Sequence, residues 1–582
     1  MPPLFQRFRI EIAFLLLLNA TPIFSRTLTV NYDLSRYWVN GHWTGEWHQV
    51  PGHPALPVLL SKVLLPYGTK VISVTPHFSH VVSSHRTLPS TVVPPATPFC
   101  DCDAWNNHTA ADSWLTVKFP VGDTLYQEKE GYRIAFTPLY PAETLIDGTS
   151  KTVNAIELDF ELAAETPSVF YRGSIYDKWD LSPLVENPSV LSSYPALPSP
   201  GRKDYLTIGP RALVTATGPE TLDSLEVEKT ARGIFSERLA LEDIAKNYSG
   251  RDLAEKIRNA ISDHYLHHGT RYVLLLGDAE KTLPTRLIRV EANIRGDIPS
   301  DAYYANLNGD FDHNGNGVFG EIDDGENSAE IDLLSEVVVG RAPISTVGGL
   351  HTFVKKTLAA TKLLPSAPNV SNSLLLGEKA DASTLASWLL EKLVAGAIPS
   401  TANSGITSQG FSSGTRFTKI YETFDWSTSA RQVIDTLNAG NFYTVNHAGH
   451  ATTRFDLKFP DYLIPMLQNS SPFFLYSQGC NAGDFTQTNW ASELINAPGG
   501  GAFAAVVNSS LGFFNSGESD GPSNIFHRKF FNQVFQAGVR QLGRANQLSK
   551  ESLINEIEGD PTMRWIYFET NLLGDPELNF KF

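Results

Sequence analysis

Apolar and polar positions follow two different rhythms along the chain. From Thr27 to Leu162 the period is two. Ile156-Glu-Leu-Asp-Phe-Glu-Leu162 alternates apolar and acidic residues without a break, which predicts a half-buried strand with one wet face. Trp114–Phe119 and Tyr132–Phe136 read as further strands, with proline frequent between them. From Asp204 the rhythm changes. Tyr205–Ile208 is a short apolar run, and Leu253, Ile257, Ile261 and Tyr265 then recur every fourth residue, one face of a helix. Ser249–Asp252 supply its start and Gly269 its stop. Tyr272–Leu276 follows as a buried strand, and Ile331–Val339 returns to the sheet. A second half opens near Ser371 with the strand Leu374–Leu376, and Phe442–Val445, Phe473–Tyr476 and Ala502–Val507 continue it. Fully apolar runs between helices predict an α/β region with a mostly parallel sheet.

These shifts divide the chain of 582 residues into an all-β region over 26–185, a connector over 186–203 and an α/β domain over 204–582, whose halves are 204–365 and 366–582. The connector is rich in proline and serine and ends in Gly201-Arg202-Lys203, the composition of an exposed linker open to processing. Ahead of it all, Arg7 and Arg9 precede the apolar run Ala13–Leu18 and the small-residue region Asn19–Ser25. That order predicts a signal peptide over 1–25 and a secreted or cell-surface protein. No run is long enough to span a bilayer.

Composition is that of an ordinary globular protein, 42% hydrophobic and 19% charged. The formal net charge of −16 argues against a nucleic-acid partner, which needs a basic face. Acidic residues gather between Asp297 and Asp332. There Asp310-Phe-Asp312-His-Asn314-Gly315-Asn316 through Glu321 fits the calcium-loop pattern, in which alternate side-chain oxygens converge on one ion and the glycine makes the turn. Asp310, Asp312, Asn314, Asn316 and Glu321 are the expected ligands of a structural calcium. Asp301, Asp323 and Asp324 are candidates for a neighbouring site. Three cysteines cannot form a disulfide framework, and Cys100 and Cys102 carry no role.

The chemistry concentrates in two turns. Phe442–Val445 leads to Gly449-His450-Ala451, and Phe473–Tyr476 leads to Gly479-Cys480-Asn-Ala-Gly483-Asp484-Phe485. In a parallel sheet, such turns meet at the carboxyl edge. A thiol beside an imidazole is a nucleophile beside its base. His447, three residues earlier, is the alternative base. Beyond the cysteine, Asn508–Asn515 returns to the same edge, with Phe513 and Phe514 as candidate walls of a specificity pocket.

Gly449-His450 followed 30 residues later by Cys480-x-x-Gly483-Asp484-Phe485 resembles the catalytic signature of the gingipain-like cysteine peptidases. Pro51-Gly-His-Pro-Ala-Leu-Pro57 with Val63-Leu-Leu-Pro-Tyr-Gly68, and Gly574-Asp-Pro576 near the end, resemble other parts of that family. The resemblance implies a caspase-like catalytic domain preceded by an all-β prodomain. It further implies a cysteine endopeptidase made as a zymogen, acting on protein or peptide substrates and held by its own prodomain. Cys480 would be the nucleophile and His450 the base. Glu378, after the strand Leu374–Leu376, would orient His450. Gly449 and Ala451 would lie against the substrate, their turn and Cys480 giving N–H groups to the oxyanion. The family has Gly-His-Gly where this chain has Gly-His-Ala, and alanine tolerates positive φ poorly. The basic side chain that these enzymes prefer before the cleaved bond needs a buried acid, and Asp381 lies near the expected region; an apolar pocket is the equal alternative. Two other readings share the sequence: an inactive, calcium-binding surface or adhesion relative, and a transpeptidase using the same dyad.

Overall fold

The computed structural model describes residues 26–39, 42–43, 45–48, 56–84, 96–99, 119–144, 150–198, 201–292, 295–321, 324–325, 331–397 and 408–581. The signal region, Cys100, Cys102, Asp323 and all but the last residue of the strand expected at Trp114–Phe119 lie outside these residues.

The N-terminal part is built of β-strands as far as Ala164, as its alternation predicts, and a short helix, Ile175–Leu181, precedes the connector. Ser150–Ala164 pairs antiparallel with Arg26–Asp33 on one side and Thr69–Ser84 on the other. Ile156, Leu158, Phe160 and Leu162 are buried, while Glu157, Asp159 and Glu161 face outward. A second antiparallel sheet runs Glu46–His48, Leu56–Leu64, Tyr132–Leu139, Leu125–Lys129. The connector is mostly exposed but anchored. Asn187 bonds both backbone groups of Leu64, and the Tyr194 hydroxyl donates to the Leu65 carbonyl.

The rest of the chain forms one ten-stranded sheet. Its strands are β1 (Tyr205–Gly209), β2 (Ser236–Ala240), β3 (Tyr272–Leu276), β4 (Val338–Ala342), β5 (Asn372–Gly377), β6 (Arg416–Tyr421), β7 (Thr444–Ala448), β8 (Phe473–Ser477), β9 (Ala502–Asn508) and β10 (Thr570–Leu573). The order is β2-β1-β3-β4-β10-β9-β8-β7-β5-β6. All neighbours are parallel except β9 and β10. Every residue of β3, β7, β8 and β9 is buried, which is why β3, β8 and β9 read as apolar runs, while β7 buries Asn446 and His447. The two halves are joined through β10, the last strand of the chain, wedged between β4 and β9. The helix Leu253–His268 is capped by the Asp252 carboxylate at its start and by left-handed Gly269 at its end, as its sequence signals predict. Among the described residues, no helix is long and apolar enough to cross a membrane.

Arg341, at the end of β4, is fully buried. Its guanidinium holds both Asp301 oxygens at 2.7 Å and the carbonyls of Gly277 and Leu283 at 3.0 and 2.9 Å. The same guanidinium lies 5.0 Å from the Phe485 ring centroid, so the turn after Cys480 docks on the first half of the sheet. Asp301 is therefore committed to Arg341, which corrects its expected place near the cation loop. Asp301→Ala would leave a buried, unpaired cation, and should lower the unfolding free energy by about 3–5 kcal/mol in urea denaturation followed by tryptophan fluorescence.

Candidate active site

Three adjacent parallel strands bring the candidate residues to one edge. β7 lies between β5 and β8, with Gly377 opposite Ala448 and His447 opposite Ser477. Glu378, Gly449–Ala451 and Gly479–Cys480 therefore leave the sheet side by side. Gly449 is required by space: a Cβ there would sit 2.4 Å from Glu378 Cγ. Gly479 is required too, since its Cβ would lie 2.5 Å from the Ala451 Cβ. Ala451 is buried against the cysteine turn, and it is not among the residues with positive φ. The expected penalty for alanine after the histidine is thus absent. After the cysteine, Asn481 adopts left-handed φ of 56°, and its N–H bonds the Ser510 carbonyl at 2.6 Å.

Glu378 does not reach His450 as the resemblance implied. Its Oε1 accepts from His447 Nε2 at 3.0 Å, and its Oε2 accepts from Lys458 Nζ at 3.2 Å. The other His447 nitrogen, Nδ1, meets Asp456 Oδ1 at 2.8 Å and Ser477 Oγ at 2.9 Å. Burial alone would lower the pKa of this fully buried imidazole. The Asp456 and Glu378 carboxylates overcome burial and raise it to about 9. His447 is thus a locked imidazolium with both nitrogens engaged. That engagement leaves it no free nitrogen with which to act as the alternative base, and His450 on the same turn is half-buried.

Sequence reasoning missed the partners that lock it. Asp456 and Lys458 come from a hairpin joining Phe455–Asp456 to Phe459–Pro460, and Lys458 also pairs with Glu422 at 3.1 Å. The two turn residues, Leu457 and Lys458, have φ of 48° and 70°. Without glycine or asparagine there, the sequence carried no hairpin signal. A further support is His527, stacked on Tyr476 at 3.8 Å between Asn446 and Gln478. Burial keeps it neutral.

Cys480 is completely buried. Burial, with a smaller contribution from Glu569, pushes its thiol far above the usual range. Its cover comes from the N-terminal region. Ala96–Pro98 pairs antiparallel with Phe513–Asn515, and the Phe99 N–H donates to the Gly512 carbonyl at 2.8 Å. The Phe99 ring lies 4.6 Å from Phe514 and edge-on to His450 at 6.5 Å. Phe513 points the other way, edge-on to Trp565 at 6.1 Å. Of the two expected pocket walls, only Phe514 faces this side. Nothing in the sequence around Thr97-Pro98-Phe99 signalled this placement.

The cation loop keeps the expected turn, with Gly315 at φ of 70°. Asp310 and Asn314 accept backbone N–H groups within the loop. Asp312 is paired with Arg251, and the Asn316 side-chain nitrogen donates to Glu321 at 2.9 Å. Asp324 is buried; one oxygen accepts from the Gly320 and Glu321 N–H groups at 2.9 and 3.1 Å, and the other has no hydrogen-bond partner among the described residues. Asp381 is engaged by the hydroxyls of Ser383 and Ser516.

The sheet, with its cysteine and histidine turns on neighbouring strands, is the α/β, caspase-like architecture of a cysteine peptidase domain behind a β-rich region. The sequence profile of peptidase family C25 matches residues 199–581, and the chain belongs to that family, the gingipain-like cysteine peptidases. The chain is similar to the crystal structure of the Arg-specific cysteine proteinase gingipain R, with 18% identity, coverage of 66% of this chain and 80% of that one, and a TM-score of 0.47. A complex of pro- and mature domains of RgpB from Porphyromonas gingivalis is similar at 18% identity, with 65% and 79% coverage and a TM-score of 0.46. No curated protein matches by sequence.

The raised pKa of His447 has a sign that can be read. Protonation stabilises the folded state fully below about pH 6.5, and that contribution is lost as pH rises through about 9. The melting temperature should therefore fall between pH 6.5 and 9.5. His447→Gln should melt lower at pH 6.5 and show a flatter decline, measured by calorimetry across pH.

Proposed function

We propose that the chain is a secreted cysteine endopeptidase made as a zymogen, with residues 26–185 as its prodomain. Cys480 Sγ attacks the scissile carbonyl carbon, and His450 takes the thiol proton. As the carbon–nitrogen bond breaks, His450 gives that proton to the leaving amine, and the acyl group remains as a thioester on Cys480. Water activated by His450 then releases the acid and restores the thiol. Backbone N–H groups of Cys480 and of the Gly449–Ala451 turn hold the oxyanion. Glu378 is a positioning residue: through His447 it fixes the end of β7 from which His450 extends.

One observation carries this reading. A prodomain segment lies antiparallel along Phe513–Asn515 and ends with Phe99 over Cys480 and His450. That is how an extended peptide would dock by strand addition. Occupied in this way, the thiol is dry and protonated, which supports latency until the segment leaves. Secretion rests on the pattern of Arg7, Arg9 and Ala13–Leu18.

Calcium at the Asp310–Glu321 loop belongs to the same proposal, as a structural ion. The donors are hard oxygens, and the buried Asp324 carboxylate lies against the same loop, accepting the Gly320 and Glu321 N–H groups. Binding there would compete with the Arg251 pair on Asp312. The ion would stabilise by about 2.7 kcal/mol at a hundredfold excess over Kd. Thermal melting should rise with millimolar calcium and fall with a chelator, and Asp310→Ala should abolish the difference. An unchanged melting temperature would remove calcium from the proposal.

The catalytic reading is tested by alkylation of the full chain with iodoacetamide, followed by mass spectrometry. Cys480 should react slowly in the unaltered chain and at least about tenfold faster in Phe99→Gly, where the cover is loosened. Adding His450→Ala to that variant should remove about 10²-fold or more of any peptidase activity, and Cys480→Ala all of it. Alkylation indifferent to both Phe99 and His450 would make the site inert and favour a surface or adhesion role.

A further inference from the structure

We infer that the substrate pocket beside Cys480 takes a large aromatic side chain at the residue whose carbonyl is attacked. The inference rests on the peptidase reading and adds its substrate class. Within the segment Ala96–Phe99, Phe99 is the residue that meets both reacting groups. Its N–H is tied to the Gly512 carbonyl, the same carbonyl that accepts from the Cys480 thiol at 3.7 Å, and its ring stands edge-on to His450. The three residues before it pair with Phe513–Asn515. Phe99 thus holds the position of the acyl residue of a substrate, with Pro98, Thr97 and Ala96 running back along the groove.

The surroundings of that side chain are apolar. Phe99 has no exposed surface and packs in one cluster with Phe514, Ala380 and Cys480. The ring meets Phe514 at an interplanar angle of 35°, a tilted aromatic pair. A guanidinium or ammonium there would need a charged carboxylate; of the neighbouring acids, Asp520 and Asp381 are committed, while Glu569 has no hydrogen-bond partner among the described residues. Asp520 is bound by Arg528 at 2.6 Å and Asn524 at 3.0 Å. Asp381 is held by serine hydroxyls nearer the surface. Glu569, whose charge would reach Cys480, is fully buried, and burial keeps its carboxyl neutral. A charged side chain entering this pocket would lose its water without gaining an ion pair. An aromatic ring gains contact on both sides.

The test compares acyloxymethyl ketone probes that end in Pro-Phe, Pro-Arg or Pro-Ala, applied to the full-length Phe99→Gly chain. The rate of Cys480 alkylation is read by mass spectrometry. The Phe probe should exceed the Arg and Ala probes by at least about 30-fold, and the ratio should collapse in a chain that also carries Phe514→Ala. Equal rates, or a faster Arg probe, would overturn the aromatic pocket while leaving the peptidase reading intact, and a faster Arg probe would point to Glu569 as the acid. Failure of every probe and of iodoacetamide to reach Cys480 would overturn the peptidase reading and this inference together. Should Phe99→Gly not fold, long incubation of the unaltered chain gives the same probe ratio.

Discussion

The edge of the sheet that carries the site depends on one buried charge. His447 sits without solvent between Asp456 and Glu378, a cation clamped by two anions at the end of β7. In a dry interior, the imidazole could not stay protonated without these two anions. The cluster ties together the ends of β5 and β7 and the hairpin 455–460, and Lys458 adds Glu422 from beyond β6. Ser477 brings in β8. Five separate stretches of chain are thereby held to one geometry, and His450 and Cys480 extend from it.

Arg341 performs a similar office across the sheet. It satisfies the turns after β3 and supports Phe485, so the loop after the cysteine is braced by the first half of the domain. The C-terminal strand β10 closes the remaining gap between halves. The catalytic edge therefore draws on residues from nearly the whole α/β domain, which explains why its glycines are so tightly enclosed.

Much of this was legible in the sequence. The alternation of Ile156–Leu162 and the apolar runs of β3, β8 and β9 reflect burial on one face or two, a local property of each strand. The turns bearing His450 and Cys480 could be found because they follow such runs. What the sequence did not disclose depends on contacts between distant segments. Glu378 was recognisable as a carboxylate at a strand end, but its choice of His447 over His450 is decided by ring position to within a few ångströms. The hairpin bearing Asp456 and Lys458 uses Leu457 and Lys458 in left-handed conformations that the cluster stabilises, so no turn residue advertises it. Phe513 and Phe514 were adjacent aromatic candidates, and only the strand alternation separates the one facing Cys480 from the one facing Trp565. Ala96–Phe99 reads as part of a proline-rich stretch, and its pairing with residues more than 400 positions away has no local signature.

That pairing is also intramolecular. Three residues of strand and one ring make a weak ligand if offered as a free peptide. Attached to the same chain, they are present at an effective concentration that dilution cannot change, set only by the reach of the flanking segments. Occupancy of the groove is then the same in a dilute solution as in a crowded one. A single break would leave the segment tethered through its other side; only breaks on both sides would convert a permanent neighbour into an ordinary solute, free to diffuse away and unable to return at a comparable rate.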